Sequence, residues 1–233
     1  MNESMEFRDG KIYLTANAYI VERASELPRE FASEFKQMDL NPSFMWIAGR
    51  YVQANNVNKN GHFWSTEDLQ AGQSTIKYVP MNVNHGEIAV GTFIEAKLVE
   101  RASASNPDEM NPEIQALGLL WAANYPAVAA MVRDAHEKKQ LHFSMECVSE
   151  KKQCLQCEQE FAYAAQAHEV CEHLAASATA PRRFINPIFV GGALVMPPES
   201  PAWQDADVTD VAARRLAASA DEWEQLMTAV TSS

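Results

Sequence analysis

Residues 140–147, QLHFSMEC, carry three side chains that can do chemistry at alternate positions. In an extended strand His142, Ser144 and Glu146 fall on one face, and Leu141, Phe143, Met145 and Cys147 on the other. A strand holds a serine Oγ in one place, which makes Ser144 a candidate nucleophile, although strands also carry serines with no chemical task. His85, followed by Gly86, lies at a turn between two extended segments, where an imidazole can face a groove. A second group of residues points to metal. Cys154-x-x-Cys157 is the spacing that lets two thiolates reach one zinc ion, and Cys171-Glu172-His173 can complete a Cys₃His set. His168, in His168-x-x-Cys171, is the alternative fourth ligand. Four protein ligands would close the coordination sphere and make the metal structural. The stretch HEVCEH is not an HExxH protease motif, because its histidines are too far apart to share one helix face. The plain alternative is three surface cysteines kept reduced.

The elements that must position these groups are legible in outline. Residues 11–22 read as a strand, residues 26–38 as a polar helical link, and residues 44–53 as a second strand rich in aromatic and β-branched side chains. Asn60-Gly61 signals a turn, and Ser65 with Asp68 signals a helix start. An alternating run follows His85, with Val90, Thr92, Ile94, Ala96 and Leu98 on one face. Residues 101–112 read as a polar loop and residues 114–122 as a buried strand. Pro126 opens a helix over 126–139 with Val128, Met131, Val132 and Ala135 on its apolar face and Lys138-Lys139 at its C-terminal end. Residues 184–196 read as one strand with a Gly191-Gly192 bulge, and residues 207–230 as two helical pieces. No internal repeat is present.

The chain of 233 residues is 47% hydrophobic and 21% charged, which places it among ordinary globular domains. No apolar run approaches the ~18 residues of a membrane span, and the first residues carry no apolar secretion signal. A soluble protein made in the cytoplasm is the expectation, without a membrane partner. A formal net charge of −12 argues against a nucleic-acid partner, whose phosphates are neutralised by Lys and Arg. Without a secretion signal, the crowding of three of the four cysteines into one segment favours metal over disulfides. Cys147 reads as core.

Three segments taken together resemble the prohead (capsid maturation) serine proteases of tailed phages. They are GRYVQANNVNKNGHFWSTEDL at 49–69, VPMNVNHGEIAVGTFIEAKL at 79–98, and the helix running into FSME at 143–146. The resemblance covers residues 44–200, and it implies a distant similarity to herpesvirus assembly proteases. The implied fold is α+β: a compact, mostly antiparallel β-barrel flanked by helices, here with a small zinc-binding insert at 151–175. Residues 1–200 would form the protease domain and 201–233 a C-terminal helical segment.

The resemblance also implies Ser144 as nucleophile and His85 as general base. A serine hydroxyl is a poor nucleophile near neutral pH until an adjacent imidazole accepts its proton. A third group normally orients that imidazole. In relatives it often lies on the strand after the nucleophile, but residues 184–196 contain no Asp, Glu or His. Glu146, His142 and Asn186 stay open as the third member, as does a dyad. Arg182-Arg183 is loosely similar to the herpesvirus arginine pair, and the oxyanion hole has no assignment. The implied activity is endoproteolysis of scaffold and major capsid precursor proteins, and of the chain itself, inside the assembling prohead in the host cytoplasm, with self-association as a further expectation. A non-enzymatic head or scaffold protein that keeps the fold and the zinc module is the alternative.

Overall fold

A computed structural model describes residues 12–21, 27–32, 41, 43–102 and 110–197. Its strands are β1 (Ile12–Val21), β2 (Met45–Gln53), β3 (His62–Phe63), β4 (Pro80–Val83), β5 (Gly91–Ala102), β6 (Met110–Leu120), β7 (His142–Val148), β8 (Lys151–Cys154), β9 (Glu160–Ala162), β10 (Arg182–Ile185) and β11 (Ile188–Val195). Three short helices join them: α1 (Thr66–Gly72), α2 (Pro126–Glu137) and α3 (Glu172–Ala176). The fold is therefore mixed α+β with little helix.

One curled sheet of seven strands, ordered β1-β2-β6-β5-β4-β11-β7, closes into a barrel. β1 makes the closure by splitting its pairing: its first part lies against β7 and its last four residues against β2. Every neighbouring pair is antiparallel except β4 with β11. Closure leaves no unpaired edge to be blunted. Aromatic rings fill the inside. Tyr51 stands edge-on to Phe93 at 5.1 Å and to Phe189 at 5.5 Å, and Phe93 meets Phe143 at 5.1 Å. Such edge contacts contribute beyond area burial alone. β7 sends Phe143, Met145 and Cys147 into this core, as its alternation predicts.

A second sheet, ordered β3-β10-β8-β9, lies outside the barrel. Phe184, His62 and Trp64 pack together on one of its faces, with Phe184 centred 5.0 Å from His62 and 5.7 Å from Trp64. α1 enters this region through the expected cap: Asp68 N–H donates to Ser65 Oγ, and Ser65 N–H donates to Asp68 Oδ2.

Several sequence expectations change. Residues 184–196 are two strands in two different sheets. Asn186, at φ +51°, and Pro187, which has no N–H for a ladder, break the run. The described part of the helical link, residues 27–32, is a turn in which Phe31 and Ala32 N–H donate to Pro28 O. Both ends of the expected loop at 101–112 belong to the β5–β6 ladder, where Arg101 pairs with Asn111. A register shift between Phe93 and Glu95 puts Phe93, not Thr92 or Ile94, in the core. α2 buries Ala129, Val132 and Ala135, whereas Met131 faces out. The helical pieces at 207–230, and so the 201–233 segment, lie outside the described residues. No helix among the described residues is long and apolar enough to cross a membrane.

Candidate active site and metal centre

β11 runs between β4 and β7 and sets the distances of the site. Ala193 pairs with Asn82 on one side and with Ser144 on the other, so three residues form a row across three strands. One step along, Gly191 pairs with Glu146. Paired residues share a face, so Asn82, Ser144 and Glu146 stand on the side of the sheet opposite the aromatic core.

β4 ends in a tight turn that presents His85. Gly86 N–H donates to Val83 O at 2.8 Å, and the two central residues have positive φ, +46° at Asn84 and +57° at His85. Two consecutive positive φ values are the requirement of a type I′ turn, which Asn tolerates well and other L-residues less so. The turn is pinned to the end of β11 on both sides of Asn84. Its N–H donates to Leu194 O, and its Oδ1 accepts from Met196 N–H, both at 3.0 Å. A backbone held this way at a candidate base is a common place for stored strain.

His85 Nδ1 lies 3.2 Å from Glu146 Oε1, and Asn82 Nδ2 donates to the same oxygen at 2.9 Å. To get there the Glu146 side chain crosses β11 above Gly191. A Cβ on residue 191 would lie 2.9 Å from Glu146 Oε2, closer than real Cβ atoms come. Beneath the same glycine, Tyr51 Oη donates to Gly191 O at 2.5 Å. Burial pushes the Tyr51 hydroxyl well above the ordinary phenol range, so it stays a donor. Gly191 is thus gripped from inside the barrel and overlain from outside.

Ser144 is fully buried, and among the described residues its Oγ has no hydrogen-bond partner. Of the three candidates for the residue that orients His85, Glu146 has a carboxylate oxygen within hydrogen-bond distance of its Nδ1. His142 faces the same way but pairs with Val195, and burial lowers its pKa. Asn186 Nδ2 donates instead to Glu150 Oε2. The arginine pair serves the second sheet. Arg183 binds Asp68 at 2.6 Å and Ser65 at 3.0 Å, while Arg182 donates to Ala180 O, Ser177 O and Ala178 O. Cys147 is a core thiol whose pKa burial pushes far up. Asn82 and Gly191 were not singled out from the sequence as parts of the site. Their signals were the Asn-x-Asn-His run before the turn and the Gly-Gly pair.

Chemically, a carboxylate on Nδ1 fixes the imidazole tautomer that leaves Nε2 able to accept a proton. The same sheet face carries the Ser144 hydroxyl. An oriented imidazole of this kind is the group that a serine hydroxyl would need as its base.

At the far end of β8 the cysteine motif comes together. The ligand atoms of Cys154, Cys157, Cys171 and His173 all lie within 4.8 Å of one another, and Cys154 Sγ is 3.9 Å from His173 Nδ1. Zinc–sulfur and zinc–nitrogen bonds of about 2.3 and 2.0 Å put tetrahedral ligands at separations of this order, so the donor set fits a metal ion. Burial opposes ionisation of Cys154. The backbone N–H groups of Cys157 and Gln156 and the thiols of Cys157 and Cys171 outweigh it, bringing its pKa down to about 7. His168 sits exposed in a 3₁₀ turn, Ala167–Glu169, outside this group. Among the described residues Cys154, Leu174 and Ala180 make the buried cluster here, with Phe161 and Val170 partly buried against it, too little apolar material to fold the segment by itself.

No family model matches the chain, and no curated protein matches it. Among solved structures the chain is similar to the bacteriophage T4 capsid assembly protease, with a TM-score of 0.48 and 12% sequence identity over 81% of this chain and 98% of that one.

Proposed function

We propose that this chain is a serine endopeptidase of the prohead-maturation type, with Ser144 as nucleophile, His85 as general base and Glu146 as the carboxylate that orients His85. The observation that carries the reading is the 3.2 Å contact of Glu146 Oε1 with His85 Nδ1 on the sheet face that also bears Ser144. The three sequence segments that resemble prohead proteases support the same residues. In this reading Ser144 Oγ attacks the scissile carbonyl while its proton passes to His85 Nε2. Collapse of the tetrahedral intermediate breaks the C–N bond, and the same proton leaves on the amine. A water molecule, deprotonated by His85, then hydrolyses the acyl-enzyme. Glu146 holds the imidazole and stabilises its charged form at the two moments when it carries the proton. The substrates are scaffold and major capsid precursor proteins and the chain itself, acted on within the prohead. The protease domain is residues 1–200, herpesvirus-assembly-protease-like, with 201–233 as an appended segment.

The metal at Cys154, Cys157, Cys171 and His173 is zinc, held structurally in the 151–175 insert. Four protein donors leave no open position for a catalytic water. It supplies folding energy to a segment with almost no core.

Full burial of Ser144 favours a second reading, a non-enzymatic head protein that retains the fold. As an enzyme, the chain must move the groups over Ser144 before a peptide can reach it. One experiment separates the readings: intact-mass spectrometry over time on the chain and on Ser144→Ala, each mixed with scaffold protein. Fragments that form with the natural chain and vanish with Ser144→Ala support the protease. No fragments from either, with both chains folded, support the structural protein. Equal cleavage by both removes Ser144 from the chemistry.

A further inference from the structure

β7 and β8 are separated only by Ser149-Glu150, and β10 and β11 only by Asn186-Pro187. β7 pairs antiparallel with β11, and β8 pairs antiparallel with β10. The four strands are therefore one two-stranded ribbon that starts in the barrel and ends in the second sheet. At the crossing point the two chains stay bonded: Glu150 N–H donates to Ile185 O at 3.2 Å, Ser149 Oγ donates to the same oxygen, and Asn186 Nδ2 donates to Glu150 Oε2 at 2.9 Å. Ser144 and Glu146 lie near one end of this ribbon, and Cys154 is the last residue of its other end. Just beyond, Leu155 N–H donates to Pro181 O at 3.1 Å.

The cysteine–histidine cluster ties off that end. Cys154 and Cys157 belong to the outgoing chain. Cys171 and His173 belong to the segment that leads through α3 into β10, the returning chain. Metal held by all four joins the two chains where the apolar cluster is smallest. At the other end, the candidate site needs a fixed register. Glu146 must oppose Gly191 for its carboxylate to cross to His85, and a slip of one residue would turn Ser144 and Glu146 to the opposite face.

We infer that the Cys154–Cys157–Cys171–His173 centre is a clamp that holds the register of the β7–β11 pair, so that metal bound there controls the order of Ser144 and Glu146 while taking no part in the chemistry. This rests on the proposed metal centre, and it makes the proposed protease metal-dependent at a distance. Amide hydrogen exchange tests it without relying on cleavage. The full chain is measured zinc-loaded, stripped by a chelator and reloaded, beside Cys171→Ser, with metal content determined for each. Zinc loss is expected to speed exchange in residues 142–148 and 188–195 roughly tenfold or more, while β2 and β6 keep their protection. Reloading restores the slow exchange in the natural chain and not in Cys171→Ser. A chain that binds no zinc, unchanged exchange in those two strands, or lost protection throughout the barrel would each overturn the inference. Faster exchange in a chain that cleaves nothing even when loaded would uphold the clamp and count against the protease.

Discussion

Glu146 reaches across Gly191: its Oε1 stands 3.2 Å from His85 Nδ1, and its Oε2 occupies the space that a Cβ at residue 191 would enter. The glycine acts here as clearance. Its missing side chain lets a carboxylate on β7 meet an imidazole carried by a turn two strands away. Tyr51 holds the carbonyl of the same residue from within the barrel, so the clearance is fixed in height.

Gly191→Ala therefore separates site from fold. The added methyl meets the far end of a side chain, which can swing away, and so Tm should move by only about a few degrees. The swing removes Glu146 from His85, and kcat should fall roughly 10²-fold, the scale of a misplacement of about 1 Å. Cleavage kinetics beside a thermal melt measure both. Natural activity in a folded Gly191→Ala chain would show that Glu146 need not touch His85.

Ser144→Ala should trade activity for stability. Its Oγ is buried without a partner among the described residues, and a group so placed bears a desolvation cost that no hydrogen bond offsets. Replacing it by a methyl is expected to raise stability by about 1 kcal/mol while cleavage drops roughly 10³-fold or more. Denaturant unfolding and intact-mass time courses on the same preparations give the two numbers. A destabilised Ser144→Ala chain would mean that the hydroxyl is satisfied in solution.

Glu146→Gln keeps the volume and loses the charge. The amide can present N–H to His85 Nδ1, which selects the tautomer with its proton on Nε2, where the base must be free. A loss in kcat of roughly 10³–10⁴-fold with little change in KM is expected. Asn82→Ala removes one hydrogen bond to the carboxylate and should cost roughly tenfold. If the Asn82 loss appeared in KM alone, Asn82 would be a substrate contact and not a positioning residue for Glu146.

How far the sequence could take this is visible at Glu146. Alternation along residues 140–147 placed it on the face of Ser144, and that placement follows from strand geometry alone. Its partnership with His85 depends on the β11 register, on the bulge between Phe189 and Gly191, and on an absent Cβ, none of which is a local property of β7. Gly191-Gly192 read as a bulge from sequence, but its role as clearance needs the neighbouring strands. The cluster that could hold a metal ion is more legible, because Cys-x-x-Cys and Cys-x-His are short-range patterns that a turn and a helix start can satisfy locally. Residues 184–196 failed as a single strand because hydrophobic pattern reports burial, and both sheets bury their part of it. Arg182 and Arg183 are only loosely similar in sequence to the herpesvirus arginine pair. In the fold one staples a loop and the other pairs with Asp68.

His62 gives a pH dependence of stability. It is buried against Trp64 and Phe184, and burial, with Arg182 nearby, lowers its pKa from 6.5 to about 3. The unfolded chain therefore binds a proton that the folded chain refuses between those two values. Stability is full above pH 6.5 and is lost as pH falls toward about 3, at no more than about 1.4 kcal/mol per pH unit from this residue. His62→Phe fills the same aromatic position without a titrating group. It should stabilise the fold more at pH 5 than at pH 8, as urea unfolding at the two values would show. Equal effects at both would mean that His62 titrates normally.

The fourth ligand of the proposed metal centre can be decided between two histidines. His173 follows Cys171 in the first turn of α3, and its Nδ1 lies 3.9 Å from Cys154 Sγ, whereas His168 is exposed in the preceding 3₁₀ turn. His173→Ala should weaken zinc binding by more than the roughly 10–100-fold that loss of a merely supporting group costs. His168→Ala should leave it unchanged. Competition with a chromophoric chelator measures the affinities, and cobalt substitution reports the ligand set, since three thiolates with one imidazole give a tetrahedral absorption that changes when the imidazole is lost. The opposite ranking of the two variants would move the fourth ligand to His168, which requires the 3₁₀ turn to fold over the cysteines and would loosen the tie between α3 and the end of β8.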